Sequence, residues 1–506
     1  MIHRRARFLR FLTLLMGLAL APGTGAGEKN PPEPPSLSAL IAQERYAEGF
    51  EAADAQLKAN PDDKELALTR ARCLFMVGRF GEALEAAKVL LKTVPERLDV
   101  QDFKADCLFV SFRPLEAVEV WKPLLEDNRW SGVALKKSAM ALMAAGDDEG
   151  ARKLLEGRMP QLPEASDDLL LLTLRVFEWG TRRLSALEEL VRRHPENADY
   201  KAELNLAKMM GDRPLSQVVP PRSLPIRIRV KEVYGEPSLE ALIEGKRSTQ
   251  LALDTGSQRM LLNRDTSKKL KLEPLASTLR EGWGGVAPEA VSTVFLSSLS
   301  LGGLEVRNVL AQINARDSEF WQKKAGYIGL SPFRAFVSLY DRRRGFLEVR
   351  PAGTSPRVLL DAPDAPSVPI LWSSGLPLVP VTVNGRPGLP FLLDTGAPYT
   401  LLDKALAARL GIRANSGKYS NRTGLGVSGA FSYAVAEQVT VEFAGMKSPT
   451  ALQLAGIRTP APIAFLTDVP QRFAVPCYGI LGRDFLNRFR MVFDGPRGTV
   501  TLVRYP

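Results

Sequence analysis

Between residues 36 and 212 apolar residues recur at helical spacing, in blocks such as LTRARCLFMVGRF (68–80) and GEALEAAKVLLKTVP (81–95). The pattern predicts paired amphipathic helices. The blocks repeat with a period near 34. Ala71, Ala105 and Ala139 follow it, as do Ala83, Ala117 and Ala151; Pro61 and Pro95 are also 34 apart, with Pro163 and Pro195 further on. Small residues at fixed positions let two helices approach closely. Gly78 breaks the pair, and the proline ends the second helix before the next pair begins. Such pairs bury their apolar faces only by stacking, so residues 36–212 are expected to form a solenoid with a concave face.

The pattern changes at Ile226. Residues 213–225, with Pro214, Pro220, Pro221 and Pro225, read as a linker. Beyond it, short alternating apolar runs separated by glycines predict strands. This region is duplicated. Displaced by 140, LIEGKRSTQLALDTGSQRMLL (242–262) lies without a gap over a second segment ending DTGAPYTLL at 402. Displaced by 153, residues 328–349 lie over 481–502, with Gly329, Phe336, Asp341, Arg344 and Gly345 identical to Gly482, Phe489, Asp494, Arg497 and Gly498. The halves are therefore 226–350 and 369–506, joined by 351–368, which is rich in proline and small residues. Each half runs an apolar strand into Asp-Thr-Gly, at 254–256 and 394–396. A glycine-rich turn follows, Gly282-Trp283-Gly284-Gly285 or Gly424-Leu425-Gly426, and then Tyr327-Ile328-Gly329 or Ile480-Leu481-Gly482.

Composition narrows the chemistry. The 506 residues, 45% hydrophobic and 24% charged, exclude a wholly disordered chain and a multispanning membrane protein. Only two histidines occur, His3 and His194, which excludes a Ser-His-Asp triad, a Cys-His dyad and a multi-histidine zinc site. Carboxylates, hydroxyls or a cofactor must carry any reaction, and nothing in the sequence points to a metal, a nucleotide or another cofactor. The net charge of +11 is scattered, and Arg4, Arg5, Arg7 and Arg10 contribute to it before residue 26, so no nucleic-acid partner is expected. Residues 1–26 have a basic head, an apolar run from Phe11 to Leu20 and the small-residue end Thr24-Gly25-Ala26. This is the order of a signal peptide cleaved near Ala26, and it predicts an extracytoplasmic protein, periplasmic or secreted. Cys73, Cys107 and Cys477 are too few for a disulfide framework. Cys73 and Cys107 hold equivalent repeat positions, expected about 10 Å apart, and read as buried thiols.

Two Asp-Thr-Gly turns, each ending an apolar strand and each followed by an apolar-apolar-glycine element, carry a resemblance. Over about 226–506 the chain resembles the aspartic proteases, and its short halves with DTGA look more like the retropepsin-type branch found in bacteria than full pepsins. The array before it resembles four or five tetratricopeptide repeats. The implied fold is an all-α helical-repeat solenoid followed by an all-β bilobal acid-protease fold. The implied activity is that of an aspartic-type endopeptidase. Cleaving an amide without metal or histidine needs one group to deprotonate water and another to protonate the carbonyl oxygen, and two carboxylates sharing one proton supply both. Asp254 and Asp394 are the candidate pair, titrating as a unit.

By the same resemblance, Thr255 and Thr395 hydrogen-bond across the lobe interface, and Gly256 and Gly396 allow the turns. Ser257 offers a hydroxyl beside Asp254, whereas Ala397 offers none beside Asp394. Fewer hydrogen bonds to the charged form leave the pair's pKa values higher, which predicts a mildly acidic optimum. Trp283, Gly284, Leu425 and Gly426 are the candidate flap residues, closing over an extended polypeptide substrate bound as an added strand. Arg483-Asp484 is retropepsin-like, but Pro398 stands where those enzymes place the acidic partner of that arginine, and the first half has Leu330-Ser331 instead.

A second reading stays open beside the first, that of a non-catalytic scaffold holding peptide in the cleft and a protein partner on the repeats. The lobes could pair within one chain or between two, with a monomeric pseudo-dimer favoured over an obligate dimer.

Overall fold

The computed structural model describes residues 35–246, 248–280, 289–314, 325–412, 422–426, 429–436, 439–444, 446–447, 463–467 and 476–506. Residues 35–45, which include the helix Leu37–Ala42, belong to a unit of their own. From Tyr46 onward the chain forms one compact body. Among the described residues no helix is long and apolar enough to cross a membrane.

The first part of that body is the helical array. Successive helices span Tyr46–Ala59, Lys64–Met76, Phe80–Thr93, Leu98–Val110, Pro114–Trp121, Ser131–Ala145, Asp148–Arg158, Asp167–Val176, Thr181–Arg193 and Ala198–Met210. Each of the six alanines that mark the period is at most 1% exposed, so the repeat spacing is a spacing of helix–helix contacts. The four marker prolines fall between helices. The turn inside each pair also repeats: Gly78, Phe112, Gly146 and Gly180, each 34 residues after the last, all have positive φ (+77°, +62°, +84° and +87°). That conformation reverses the chain tightly and suits glycine; Phe112 adopts it while its ring packs in the array's core. The three cysteines are buried free thiols, and burial pushes the Cys477 thiol up to about 12 and Cys73 up to about 11.

The second part is a bilobal all-β domain, and its ladders repeat the sequence duplication. In the first lobe Ser248–Leu253 pairs in parallel with Gly326–Ile328, at Leu251↔Gly326 and Leu253↔Ile328. In the second, Arg386–Leu393 pairs in parallel with Gly479–Leu481, at Phe391↔Gly479 and Leu393↔Leu481. These registers carry the same displacements, 140 on one strand and 153 on the other. The lobes share one sheet, ordered Ser367–Pro369, Thr499–Arg504, Phe489–Asp494, Val337–Asp341, Phe346–Arg350, Ile226–Val233. At its centre Val337 of the first lobe faces Asp494 of the second. Asp341 and Asp494, fully buried at equivalent positions, each cap a turn by accepting the amide of Arg344 (3.0 Å) or Arg497 (3.1 Å). In this structure the lobes pair within the chain.

Two segments expected as linkers are fastened to their surroundings. In 213–225, Gln217–Val218 pairs antiparallel with Val306 and Arg307 of the first lobe, and Asn308 Nδ2 donates to Pro214 O at 3.0 Å. In 351–368, a short helix Pro356–Leu360 packs on the shared sheet.

The array is joined to the second lobe through a common core. Leu376, Leu378, Leu392, Leu401, Cys477 and Ile480 of that lobe pack with the array's own leucines and alanines, while Phe80 and Val110 of the array enter the core of the lobes. The intra-pair turns form much of the seam. Arg409 donates to Met76 O at 3.2 Å, Phe80 stacks on Tyr478 with centroids 6.2 Å apart, and Arg334 pairs with Asp148 at 3.3 Å while covering Trp372. The last helix, Ala198–Met210, packs beside the strand Pro274–Arg280 of the first lobe. The solenoid is thus a brace across both lobes rather than a tethered module.

Candidate active site

Each aspartate is delivered by a buried strand with no polar side chain over its last turns, Leu251-Ala252-Leu253 before Asp254 and Phe391-Leu392-Leu393 before Asp394. The strand end is fixed by its parallel neighbour. Asp254 N–H donates to Ile328 O at 2.9 Å, and Asp394 N–H donates to Leu481 O at 3.1 Å. The later apolar-apolar-glycine element therefore seats the Asp-Thr-Gly turn of its own lobe.

The turns are then tied to each other. Thr255 Oγ1 donates to Leu393 O at 2.6 Å and accepts the Thr395 amide at 2.9 Å. Thr395 Oγ1 donates to Leu253 O at 2.6 Å and accepts the Thr255 amide at 3.1 Å. Both threonines are buried, so water does not compete for these bonds and each lobe fixes the other's aspartate.

The glycines serve a different need from the one expected. Neither Gly256 nor Gly396 has a positive φ. What excludes a side chain is proximity: a Cβ on Gly256 would lie 2.5 Å from Asp394 Cγ, and one on Gly396 would lie 2.5 Å from Asp254 Cγ. The absence of Cβ lets the carboxyls come face to face.

Asp254 and Asp394 are each 9% exposed, and their surroundings differ. Asp254 Oδ1 accepts the Gly256 amide at 2.9 Å. Asp394 Oδ1 accepts two amides, from Gly396 at 2.7 Å and Ala397 at 3.1 Å. Ser257 does not supply the hydroxyl expected beside Asp254, because its Oγ donates to Arg259 O at 2.8 Å and closes the turn locally. The hydrogen-bond imbalance is therefore the reverse of the one the sequence suggested. Burial, then the facing Asp394, push the Asp254 carboxyl well above its ordinary value. Burial raises Asp394 too, against hydrogen bonds from Asp254, Gly396 and Ala397 and the nearby Arg483 charge. Such a pair holds one proton over a wide pH range.

Sequence reasoning left Arg483 without a partner, and the structure supplies one. Arg483 Nη1 lies 3.3 Å from Glu236 Oε1 of the first lobe and donates to Thr395 O at 3.3 Å. Glu236 opens the strand Glu236–Ile243 and is buried. Its signal in the sequence was an acidic residue where the duplicated half has the apolar Leu376. Asp484 turns away from the pair and accepts Thr400 N–H at 3.0 Å, Thr400 Oγ1 at 2.8 Å and its neighbour Phe485 N–H at 2.9 Å.

Trp283 and Gly284 lie outside the described residues. The strands leading to them, Pro274–Arg280 and Glu289–Leu301, pair antiparallel up to Arg280↔Glu289. Leu425 and Gly426 end the strand Arg422–Gly426, which pairs with Gly429–Ala436 at Leu425↔Ala430 and Gly426↔Gly429. Among the described residues no group of three or more His, Cys, Asp or Glu side chains is placed to hold a metal ion.

Comparison with known proteins adds to this geometry. Residues 239–331 and 379–485 match the aspartyl protease family, so each matched segment contains one Asp-Thr-Gly turn and its supporting glycine element. Residues 40–107 match the tetratricopeptide repeat. A comparison with curated proteins returns no match. Among solved structures, the aspartic proteinase from Irpex lacteus aligns at 12% identity and a TM-score of 0.36, over 56% of this chain and 97% of that chain.

Proposed function

We propose that this chain, whose two β lobes both match the aspartyl protease family, is an exported endopeptidase that hydrolyses peptide bonds with Asp254 and Asp394. The observation that carries the reading is the reciprocal threonine exchange, which fixes two buried carboxyls face to face at the junction of the lobes. With one proton between them, the ionised member takes a proton from water while the protonated member gives one to the carbonyl oxygen. The tetrahedral intermediate then collapses with proton transfer to the leaving nitrogen. The substrate is an extended polypeptide, laid between the lobes as an added strand. Export is supported by the basic, apolar and small-residue order of residues 1–26, with the mature enzyme working in the periplasm or outside the cell.

The repeats favour a protein partner as a further ligand. Because the array shares a core with the second lobe, a partner bound on its remaining surface sits at a fixed distance from the dyad. The test is digestion of an unfolded protein by purified 27–506 between pH 4 and 7, with and without a transition-state-mimicking aspartic protease inhibitor. Cleavage that the inhibitor stops is expected. Peptide binding without cleavage across that range would favour the scaffold reading instead.

A further inference from the structure

The Arg483–Glu236 pair beneath the dyad carries an inference that rests on the reading just given. The same guanidinium nitrogen reaches the backbone of the Asp394 turn and a carboxylate of the opposite lobe. The pseudo-two-fold that relates the lobes does not generate a second such pair. Displaced by 140, Glu236 meets Leu376; displaced by 153, Arg483 meets Leu330, and both leucines are buried. A carboxyl and a guanidinium thus stand on one side of the pseudo-two-fold with no counterpart on the other.

We propose that Glu236 and Arg483 are positioning residues that make the two aspartates unequal, keeping the shared proton on Asp254 and leaving Asp394 to take a proton from water. A buried like charge disfavours the anion it faces, and a nearby cation favours it. Glu236 acts against ionised Asp254, while Arg483 and the extra amide of Ala397 act for ionised Asp394. The groups facing Glu236 are Arg483, Asp254 and Tyr327. The Tyr327 phenol is held protonated by burial and by both carboxylates, and Tyr340 lies within reach of the Arg483 charge. The proton accounting closes over a cycle. Water gives one proton to Asp394 and bonds to the carbonyl carbon, while Asp254 protonates the carbonyl oxygen. On collapse the C–N bond breaks, nitrogen takes the proton from Asp394, and Asp254 recovers one from the diol.

The duplication supplies the test. Glu236→Gln removes the charge at constant size, and the double variant Glu236→Leu with Arg483→Leu installs the residues of the opposite positions. Each is compared with wild type by the pH profile of kcat/KM, by thermal stability and by carbon-13 NMR titration of labelled aspartate carboxyls. Asp254→Asn and Asp394→Asn provide the assignments. Glu236→Gln is expected to move the alkaline limb and the upper dyad titration toward acid by roughly one unit, because the like charge facing Asp254 is removed and the retained Arg483 is left uncompensated. The double variant is expected to fold and to bring the two titrations closer together. A profile and titration unmoved in Glu236→Gln, with only stability changed, would overturn the proposal and leave the pair a brace. Should wild type cleave nothing, the hydrolytic reading fails, and the NMR titration still decides whether Glu236 makes the aspartates unequal.

Discussion

Thr255 and Thr395 exchange hydrogen bonds across the lobe interface, each hydroxyl accepting the other's amide and donating to the carbonyl that precedes the other's aspartate. Removing one hydroxyl therefore leaves two groups unpaired on the opposite lobe. For Thr255→Val these are the Thr395 amide and the Leu393 carbonyl, each costing about 1–3 kcal/mol when buried without a partner. Urea unfolding is expected to show the loss, with Thr255→Ser recovering most of it. A valine variant as stable as wild type would mean that the exchange contributes nothing to holding the lobes.

The dyad should cost the protein stability at neutral pH. Burial and Asp394 raise the folded-state pKa of Asp254 above its unfolded value, so the folded chain binds that proton more tightly. The stability this confers is complete below the ordinary carboxyl pKa and is lost as pH rises through the raised value. Asp254→Asn removes the ionisation, so it is expected to be more stable than wild type near neutrality, with the difference shrinking toward about pH 4. Denaturant midpoints across that range check it. A variant less stable at neutral pH would contradict the sign.

The same burial keeps the expectation of a mildly acidic optimum, now for a different reason. The Ser257 hydroxyl is engaged with Arg259, and it is desolvation that raises both carboxyls, with the facing Asp394 raising Asp254 further. Activity against a peptide is expected to peak between about pH 4 and 6. A maximum below pH 3 would exclude this account.

Phe80 joins the array to the lobes. Its ring is buried, stacks on Tyr478 and belongs to the core of the β domain. Phe80→Ala is expected to cost roughly 3–5 kcal/mol. It should lower the unfolding midpoints of helix and of β-domain tertiary structure together, read by far- and near-ultraviolet circular dichroism. A shift confined to the helical signal would show that the array folds apart from the lobes.

The sequence disclosed what repeats and concealed what does not. The 34-residue alanines became helix contacts, and the displacements of 140 and 153 became ladder registers, because local spacing sets both. The seam between array and lobe was hidden since it lies where the halves diverge. Leu376, Leu392 and Ile480, which the array covers, correspond to Glu236, Ala252 and Tyr327. Alignment by identity passes over such positions. Glu236 was missed for the same reason: its importance is that Arg483, 247 residues later in the chain, folds back against it. The glycines of the two turns were found, but their purpose depends on a carboxyl from the other lobe and could not be read from local conformation.

The most direct measurement is the rate of cleavage of one defined peptide by wild type and by Asp394→Asn, with binding of the same peptide measured in parallel. The account predicts binding within a few-fold of wild type and cleavage lower by at least roughly a thousandfold, since the single carboxyl left, Asp254, cannot take a proton from water and protonate the carbonyl oxygen in the same step. Cleavage retained at a comparable rate in Asp394→Asn would contradict it.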